Sequence, residues 1–255
     1  MTSPDRIARA DRLVPYFEVQ LRLAGRMAEL TGAPLGEVAL GHTNIHRRLG
    51  LGVWRDGPPA AGWAPYAEAL EAARGLAARV ALTREAFVAA PDEVLPHPGQ
   101  TGFGCFAHDP AGDDGVVRIH FHNFDTDAEG GPLASAKVPR RRAELRALVA
   151  GVRARHPQAR TIRGGSWLYN LEAYRRLFPP DYVASRIPHP PPIGLRGTAT
   201  WGQVIDSREA IRPHVRDAVV ANLPAMDPQA PWRVFPYRML SVEAPIESFA
   251  RFYGA

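Results

Sequence analysis

Two apolar segments that flank a run of turn-forming residues constrain the fold of this chain most strongly. The run at 109–115 reads Asp-Pro-Ala-Gly-Asp-Asp-Gly, and it predicts an antiparallel hairpin of 103–108 with 116–124. Successive side chains of a strand point to opposite faces, so the second strand has an apolar and a polar face. The apolar face carries Val117, Ile119 and Phe121, and the polar face carries Arg118, His120 and His122.

A helix follows the hairpin and is expected to cover its sheet. Within 141–155 the apolar residues recur at helical spacing and form one stripe, which consists of Leu145, Leu148, Val149 and Val152. Next come a short strand at 160–163 and a helix at 171–178, for which Asn170 is the expected cap.

The remaining pattern predicts an α/β fold of the α+β type. We expect a mixed, largely antiparallel sheet flanked by helices, preceded by an N-terminal helical portion with an amphipathic helix at 13–30. Three further elements are predicted: a strand at 198–204, a helix at 208–223 capped by Ser207, and an edge strand at 232–242. The 255 residues are interpreted as one domain, helical over 1–95 and with its sheet-containing core over 102–255.

Composition narrows the classes of function. No apolar run is long enough to span a bilayer, and the N-terminus lacks the apolar core of a secretory signal. Cys105 is the only cysteine, so no intramolecular disulfide forms, and we expect a cytoplasmic protein. The net charge is +5, but the arginines are scattered rather than clustered in a stripe, which argues against nucleic acid and leaves a small-molecule substrate as the expected partner.

The polar face of the hairpin offers two candidate chemistries. His120 and His122 alternate on one strand and can ligate a metal, with a carboxylate from Asp125, Asp127 or Glu129. The His42-x-Asn44-x-His46 pattern offers further ligands. Two histidines on a strand are, however, more often a hydrogen-bonded or solvated face, so no metal is favoured.

Cys105 offers a thiol nucleophile as the second chemistry. Either histidine of the pair would act as its base, with Asn123 or Asp125 orienting that base. The alternative is a buried cysteine that packs as a small apolar residue between Phe103 and Phe106. The chain contains no Gly-x-Ser-x-Gly elbow and no glycine-rich phosphate or dinucleotide motif.

The segment from Arg163 to the helix at 171–178 contains the densest set of polar and aromatic candidates. A strand end at Arg163 leads into Gly164-Gly165. The expected substrate-binding side chains are Arg163, Ser166, Trp167 and Tyr169, together with Asn123 and Asp125. We predict that His120, Asn123 and 166–170 line one cleft, because they cluster at the ends of two strands of one sheet.

Over roughly residues 102–180, the order hairpin, helix, strand, helix and the Asn170-x-x-Ala173 spacing resemble the acetyl-CoA-binding half of the GNAT N-acyltransferases. The resemblance implies acyl-CoA as cofactor, Asn170 as a cofactor contact and Tyr174 as the acid that protonates the departing thiolate. The family's pyrophosphate loop contains glycines, whereas 138–145 contains none. Arg140, Arg141 and Arg142 stand there instead and would supply positive charge.

The leading function is therefore transfer of an acyl group from an acyl thioester to a small amine, with His120 or His122 as the base. One alternative is a metal-dependent enzyme that uses the same two histidines. The other is a non-enzymatic small-molecule binding protein, whose pocket would be lined by Trp167, Tyr169 and Trp201.

Overall fold

A computed structural model describes residues 4–52, 59–90, 100–123 and 125–255. The helices are α1 (Pro4–Thr31), α2 (Leu35–His42), α3 (Ile45–Arg48), α4 (Trp63–Ala72), α5 (Gly75–Ala89), α6 (Val138–Arg155), α7 (Glu172–Arg175), α8 (Pro180–Ala184), α9 (Thr198–Trp201), α10 (Pro213–Asn222) and α11 (Ile246–Tyr253). The strands are β1 (Thr101–Phe103), β2 (Phe106–His108), β3 (Val116–Phe121), β4 (Thr161–Ser166), β5 (Ile187–Pro188) and β6 (Leu240–Pro245).

The described residues form two compact units. The helical unit combines the residues up to 90 with Pro192–Pro236, and the sheet unit combines the residues from 100 to Pro191 with Tyr237–Ala255. The interpretation of the chain as one domain stays a prediction. No helix in the described part of the chain combines the length and apolar character needed to cross a membrane.

The helical unit is built on α1, which packs against α2 and α5. Its predicted apolar positions, including Leu13, Phe17 and Leu21, are buried, and the helix begins earlier than expected, at Pro4. Gly32 ends it with a φ of +71°, and its N–H donates to the Ala28 carbonyl at 2.8 Å. Glycine is favoured at that position because left-handed backbone is costly for residues with a Cβ.

The sheet unit contains the mixed sheet that the sequence predicts. Its strand order is β1-β2-β3-β4-β6-β5, with β3 and β4 parallel and the other neighbours antiparallel. The predicted hairpin is confirmed, with Ala107 opposite His120, although Phe124 lies outside the described residues. The segment 103–108 is not one strand, because Gly104, with a φ of +61°, turns the chain so that β1 folds back on β2.

The predicted helix over this sheet is confirmed as α6, which contacts β1 and β2. It begins three residues earlier than predicted, at Val138, with Pro139 in its first turn, where the missing N–H costs no hydrogen bond. All four residues of its apolar stripe are buried, and they form one core with Val117, Ile119 and Ile162. This core fixes which face of the sheet is covered within the unit.

The described structure corrects four more of the predicted elements. Residues 198–201 are helix α9 rather than a strand. Helix α10 begins only at Pro213, with Arg212 rather than Ser207 at its N-cap, since the Asp206 carboxylate accepts the N–H groups of Arg208 and Ala210 and holds a turn there.

The predicted edge strand at 232–242 is also wrong. Its first part is a 3-10 turn at Pro231–Val234, and β6 lies inside the sheet, between β4 and β5. An interior place is possible because residues 240–244 contain no proline and can donate hydrogen bonds to both neighbours. The predicted helix at 171–178 is reduced to α7, with Leu171 rather than Asn170 at its N-cap.

Candidate functional site

The two parallel strands of the sheet part at their carboxyl ends. Their register runs from Val116 opposite Thr161 to Ile119 opposite Gly164, yet each strand continues two residues further, to Phe121 and Ser166. The carboxyl ends of parallel strands are where open α/β sheets bind ligands. The carboxyl end of the β3–β4 pair is therefore the candidate position for a site.

One face of the sheet is polar at this point. On β3, His120 pairs with Ala107 of β2. On β4, Gly165 pairs with Ser241 of β6. The face opposite to it is the one that packs beneath α6. Adjacent strands are about 4.8 Å apart, so His120 on β3 and Ser241 on β6 are separated by roughly 10 Å.

His120 is positioned by Asp109. Its Nε2 lies 3.0 Å from Asp109 Oδ1, and the imidazole is 35% exposed. The N–H is not aimed along this contact, so the two groups form an ion pair when the ring is protonated rather than a well-aligned hydrogen bond. The Gln100 amide donates to the same oxygen at 3.2 Å, and the Asp109 N–H donates to the Arg118 carbonyl, which fixes the carboxylate. A carboxylate so held fixes the position of the imidazole beside it.

His122, just beyond the end of β3, is the second imidazole. Its backbone N–H donates to the Cys105 carbonyl at 2.8 Å, which fixes the chain at this point. Burial lowers the pKa of the His122 side chain, and the nearby charge of His120 lowers it further. His122 is therefore neutral at pH 7 and is able to accept a proton.

A Ser–His pair lies across Gly165 from the two histidines. Ser241 Oγ and His189 Nδ1 are 2.7 Å apart, and a Cβ built on Gly165 would lie 3.8 Å from that nitrogen. Gly165 thus leaves a space free of side chain between the His120–Asp109 pair and the Ser241–His189 pair. We call these five residues, with His122, the open-face site.

Sequence reasoning missed His189, Ser241 and Asp109 as members of this site. His189 and Ser241 lie far from β3 in sequence, and only the antiparallel pairing of β5 and β4 with β6 brings them beside Gly165. The isolated His189 had no local motif that could have signalled it. Asp109 was assigned to turn chemistry alone, although its carboxylate faces the predicted base.

The segment that follows β4 is held mainly by hydrogen bonds and packing. Ser166 Oγ accepts the Leu168 N–H at 3.1 Å, and the Asn170 amide donates to the carbonyls of Trp167 and Arg238. Trp167 is buried and stacks on Tyr237. These contacts fix the segment against the strand end. The prediction that this segment lines one cleft with His120 and the exposed Asn123 stays a prediction.

Tyr169 and Tyr174 belong to an aromatic core beneath the sheet. The Tyr169 hydroxyl is 2.9 Å from that of Tyr182, and both rings of the Tyr169–Tyr174 pair are buried, Tyr174 being 2% exposed. Burial, and then the neighbouring Tyr169, raises the pKa of Tyr174 well above 10. Its hydroxyl faces other tyrosines, which makes it a poor acid for a ligand on the polar face.

The three consecutive arginines point in different directions, because neighbours on a helix differ by about 100°. Arg140 and Arg142 are exposed, whereas Arg141 is 1% exposed and donates to Asp125 and Glu144 at 2.6 and 2.8 Å. Arg141 therefore differs from its two neighbours, because it is buried. Its charge is already neutralised by protein carboxylates.

Cys105 is buried beside this cluster. The Arg141 guanidinium contacts its sulfur, and the Glu144 carboxylate accepts its backbone N–H at 3.0 Å. Burial raises the pKa of the thiol, although the Arg141 charge opposes that effect. A buried, protonated thiol is a weak nucleophile, so the structure favours the packing interpretation of this residue.

The other predicted ligands and contacts have protein partners or lie elsewhere. Asp125 binds Arg141, Asp127 lies 3.0 Å from the buried Lys137, and Arg163 pairs with Glu243 at 2.8 Å. The exposed Glu129 is on the same loop as Asp127. His42, Asn44, His46 and Trp201 belong to the helical unit. In the described ranges, no three His, Cys, Asp or Glu side chains converge as a metal site.

Comparisons with protein-family models, with curated proteins and with solved structures gave no match to this chain. We therefore infer the function from the geometry of the open-face site and from the sequence resemblance.

Proposed function

We propose that the chain transfers an acyl group from an acyl thioester, acyl-CoA, to a small amine. The observation that carries the proposal is the parting of β3 and β4 beside the His120–Asp109 pair. The described order of hairpin, helix, parallel strand and helical segment is the order on which the resemblance to N-acyltransferases was based. It supports the proposal at the level of topology.

The parted strand ends suit a thin ligand that carries amide groups. Strand residues past the last paired position carry N–H and C=O groups that no longer bond to the neighbouring strand of the parallel pair, and such groups need partners. The pantetheine arm of CoA is extended and contains two amides. It can therefore bond to the strand ends in the way that a peptide adds to a sheet edge.

The proposed reaction is a direct displacement at the thioester carbonyl. The His120 imidazole, which Asp109 positions, takes a proton from the attacking amine while the new C–N bond forms. The tetrahedral intermediate collapses, the C–S bond breaks and the same imidazolium returns the proton to the thiolate. This assignment replaces Tyr174, whose hydroxyl is buried, and leaves His122 as the alternative base.

The phosphates of the donor would be met by the exposed arginines of α6. Arg140 and Arg142 are exposed, whereas Arg141 is occupied. Asp125 competes for Arg140, because its carboxylate lies 3.2 Å from that guanidinium. We therefore expect phosphate recognition by Arg140 and Arg142 to be weaker than by a glycine-rich loop, whose backbone N–H groups approach the phosphates directly.

Calorimetric titration with acetyl-CoA, followed by an amine-acylation assay, tests the proposal. His120→Gln should bind acetyl-CoA as the wild type does but lose about 10²–10⁴-fold in turnover, the usual contribution of a general base. His214→Gln, at an exposed histidine on α10, is the matched control and should keep full turnover.

Two results would reject the proposal. The first is the absence of acetyl-CoA binding by the wild-type protein. The second is equal turnover by His120→Gln and His214→Gln. Acetyl-CoA binding without turnover on any amine tested would instead favour the small-molecule binding protein.

A further inference from the structure

A serine and a histidine on the open face of the sheet form a pair that the proposed acyl transfer does not use. Ser241 Oγ and His189 Nδ1 are 2.7 Å apart, which is within hydrogen-bond distance. The Ser241 hydroxyl donates to this nitrogen when the imidazole is neutral and carries its proton on Nε2. Both residues are half-buried, so each keeps surface that a small molecule can reach.

The backbone on either side of His189 restricts where its ring can lie. Pro188 precedes it and Pro190 follows it, and a residue before proline favours extended backbone because the proline ring clashes with the helical conformation. The His189 N–H donates to the Met239 carbonyl at 2.9 Å, which continues the pairing of β5 with β6 by one residue. The imidazole is therefore held at an ordered strand end.

The cross-strand neighbours of Ser241 leave room beside its hydroxyl. Ser241 pairs with Gly165 of β4 and with Ile187 of β5, and residues directly opposite each other in antiparallel strands share one face of the sheet. Gly165 has no side chain, and a Cβ there would still lie 3.8 Å from His189 Nδ1. Ile187 is 60% exposed and offers apolar surface on the other side of the hydroxyl.

We propose that Ser241 is a nucleophile, with His189 as its general base, and that the pair hydrolyses carboxylic esters that carry a short apolar acyl group. A serine hydroxyl is a weak nucleophile until an adjacent base takes its proton, and a hydrogen bond to an imidazole provides that base. Serine nucleophiles of this kind occur on unrelated folds and are recognised by geometry, so the missing Gly-x-Ser-x-Gly elbow does not argue against this one. The acyl group would lie over Gly165, with its alkyl chain on Ile187.

The reaction proceeds in two steps. In the first, Ser241 Oγ attacks the ester carbonyl carbon while its proton passes to His189 Nδ1; the C–O bond to the alcohol then breaks, and the imidazolium gives the proton to the departing oxygen. In the second, His189 takes a proton from a water molecule that attacks the acyl-serine. The bond to Oγ breaks, Ser241 recovers its proton from the imidazolium and the carboxylic acid leaves.

Labelling with a fluorophosphonate, which phosphonylates activated serines, tests the nucleophile, and hydrolysis of p-nitrophenyl butyrate tests the activity. We expect one phosphonyl group per folded wild-type chain, located on Ser241 by peptide mass spectrometry. Ser241→Ala should lose both the label and the hydrolysis. Ser135→Ala is the matched control, because Ser135 is an exposed serine of the same unit, and it should behave as the wild type does.

A histidine variant tests the base separately from the nucleophile. His189→Gln retains a side chain that can hydrogen-bond to Ser241 but cannot take its proton, so phosphonylation should slow by about 10²–10⁴-fold. If His189→Gln does not fold, the wild type in urea replaces it in the comparison. Unfolding separates β5 from β6, so Ser241 should lose its reactivity there.

Two outcomes would overturn the proposal. One is the absence of phosphonylation on Ser241 in the folded wild-type protein. The other is labelling of Ser241 at an unchanged rate in folded His189→Gln or in urea, which would make the pair a structural contact between β5 and β6. Neither experiment contains acyl-CoA, so failure of this proposal is distinct from failure of the proposed acyl transfer.

Discussion

Gly164 and Gly165 are neighbours on β4 that face opposite sides of the sheet, and they make a matched pair of alanine substitutions. A Cβ on Gly164 would lie within 3.0 Å of the hydroxyls of both Tyr169 and Tyr182, closer than real contacts allow. A Cβ on Gly165 would meet nothing closer than His189 Nδ1, at 3.8 Å. Both positions have strand backbone without positive φ, so alanine adds no φ strain at either.

Gly164→Ala should therefore destabilise the fold, and Gly165→Ala should not. Overpacking of a tight core costs about 1–3 kcal/mol, and displacing the Tyr169–Tyr182 hydrogen bond costs about 1 kcal/mol more, so we expect a loss of roughly 2–4 kcal/mol. Gly165→Ala should leave the stability unchanged or raise it by up to about 1 kcal/mol, because alanine restricts the unfolded chain more than glycine does.

Urea unfolding followed by far-ultraviolet circular dichroism measures both free energies. The near-ultraviolet tyrosine signal of the folded protein should change in Gly164→Ala alone, since only that methyl group reaches the tyrosine pair. Unfolding free energies of the two variants within about 0.5 kcal/mol of each other, a difference typical of surface substitutions, would refute the packing argument.

Three further predictions concern charged and ionisable groups. Arg141→Ala should cost about 2–3 kcal/mol in urea unfolding, because it removes the closest cation of two largely buried carboxylates, Asp125 and Glu144, and leaves them longer contacts with Arg140 and, for Asp125, Lys137. Exposed Arg142→Ala should cost less than about 0.5 kcal/mol, and equal costs would contradict the burial of Arg141. Cys105 should not react with a disulfide reagent in the folded protein but should react once urea unfolds it, so rapid labelling under native conditions would disprove its packing role. Burial would raise the pKa of Glu209, but Arg9 and Arg48 lower it from 4.5 to about 2. The carboxylate therefore contributes about 2–3 kcal/mol to the free energy of unfolding above pH 4.5, and this contribution is lost as the pH falls towards 2. Glu209→Gln should flatten that acid limb of the stability curve, and an unchanged limb would contradict the ion pairs.

Local pattern in the sequence determined the hairpin, the helix over it and the two faces of β3. Turn residues between alternating segments act over a few positions, and the stripe of Leu145, Leu148, Val149 and Val152 needs only helical spacing to be recognised. The polar face with His120 and His122 followed from the same alternation. The fold class was predictable because the apolar residues of these strands and helices recur at the spacing of their own type of secondary structure.

Long-range packing decided the site and the internal order of the sheet. Only the pairing of β6 with β4 and β5 brings Ser241 and His189 beside Gly165, because no local signal specifies which distant strand becomes a neighbour. In the sequence, Arg141 is one of three consecutive arginines and nothing distinguishes it from its neighbours. In the tertiary structure it is buried against Asp125 and Glu144. A charge can be buried only where distant partners converge on it, and that convergence is a property of the folded chain.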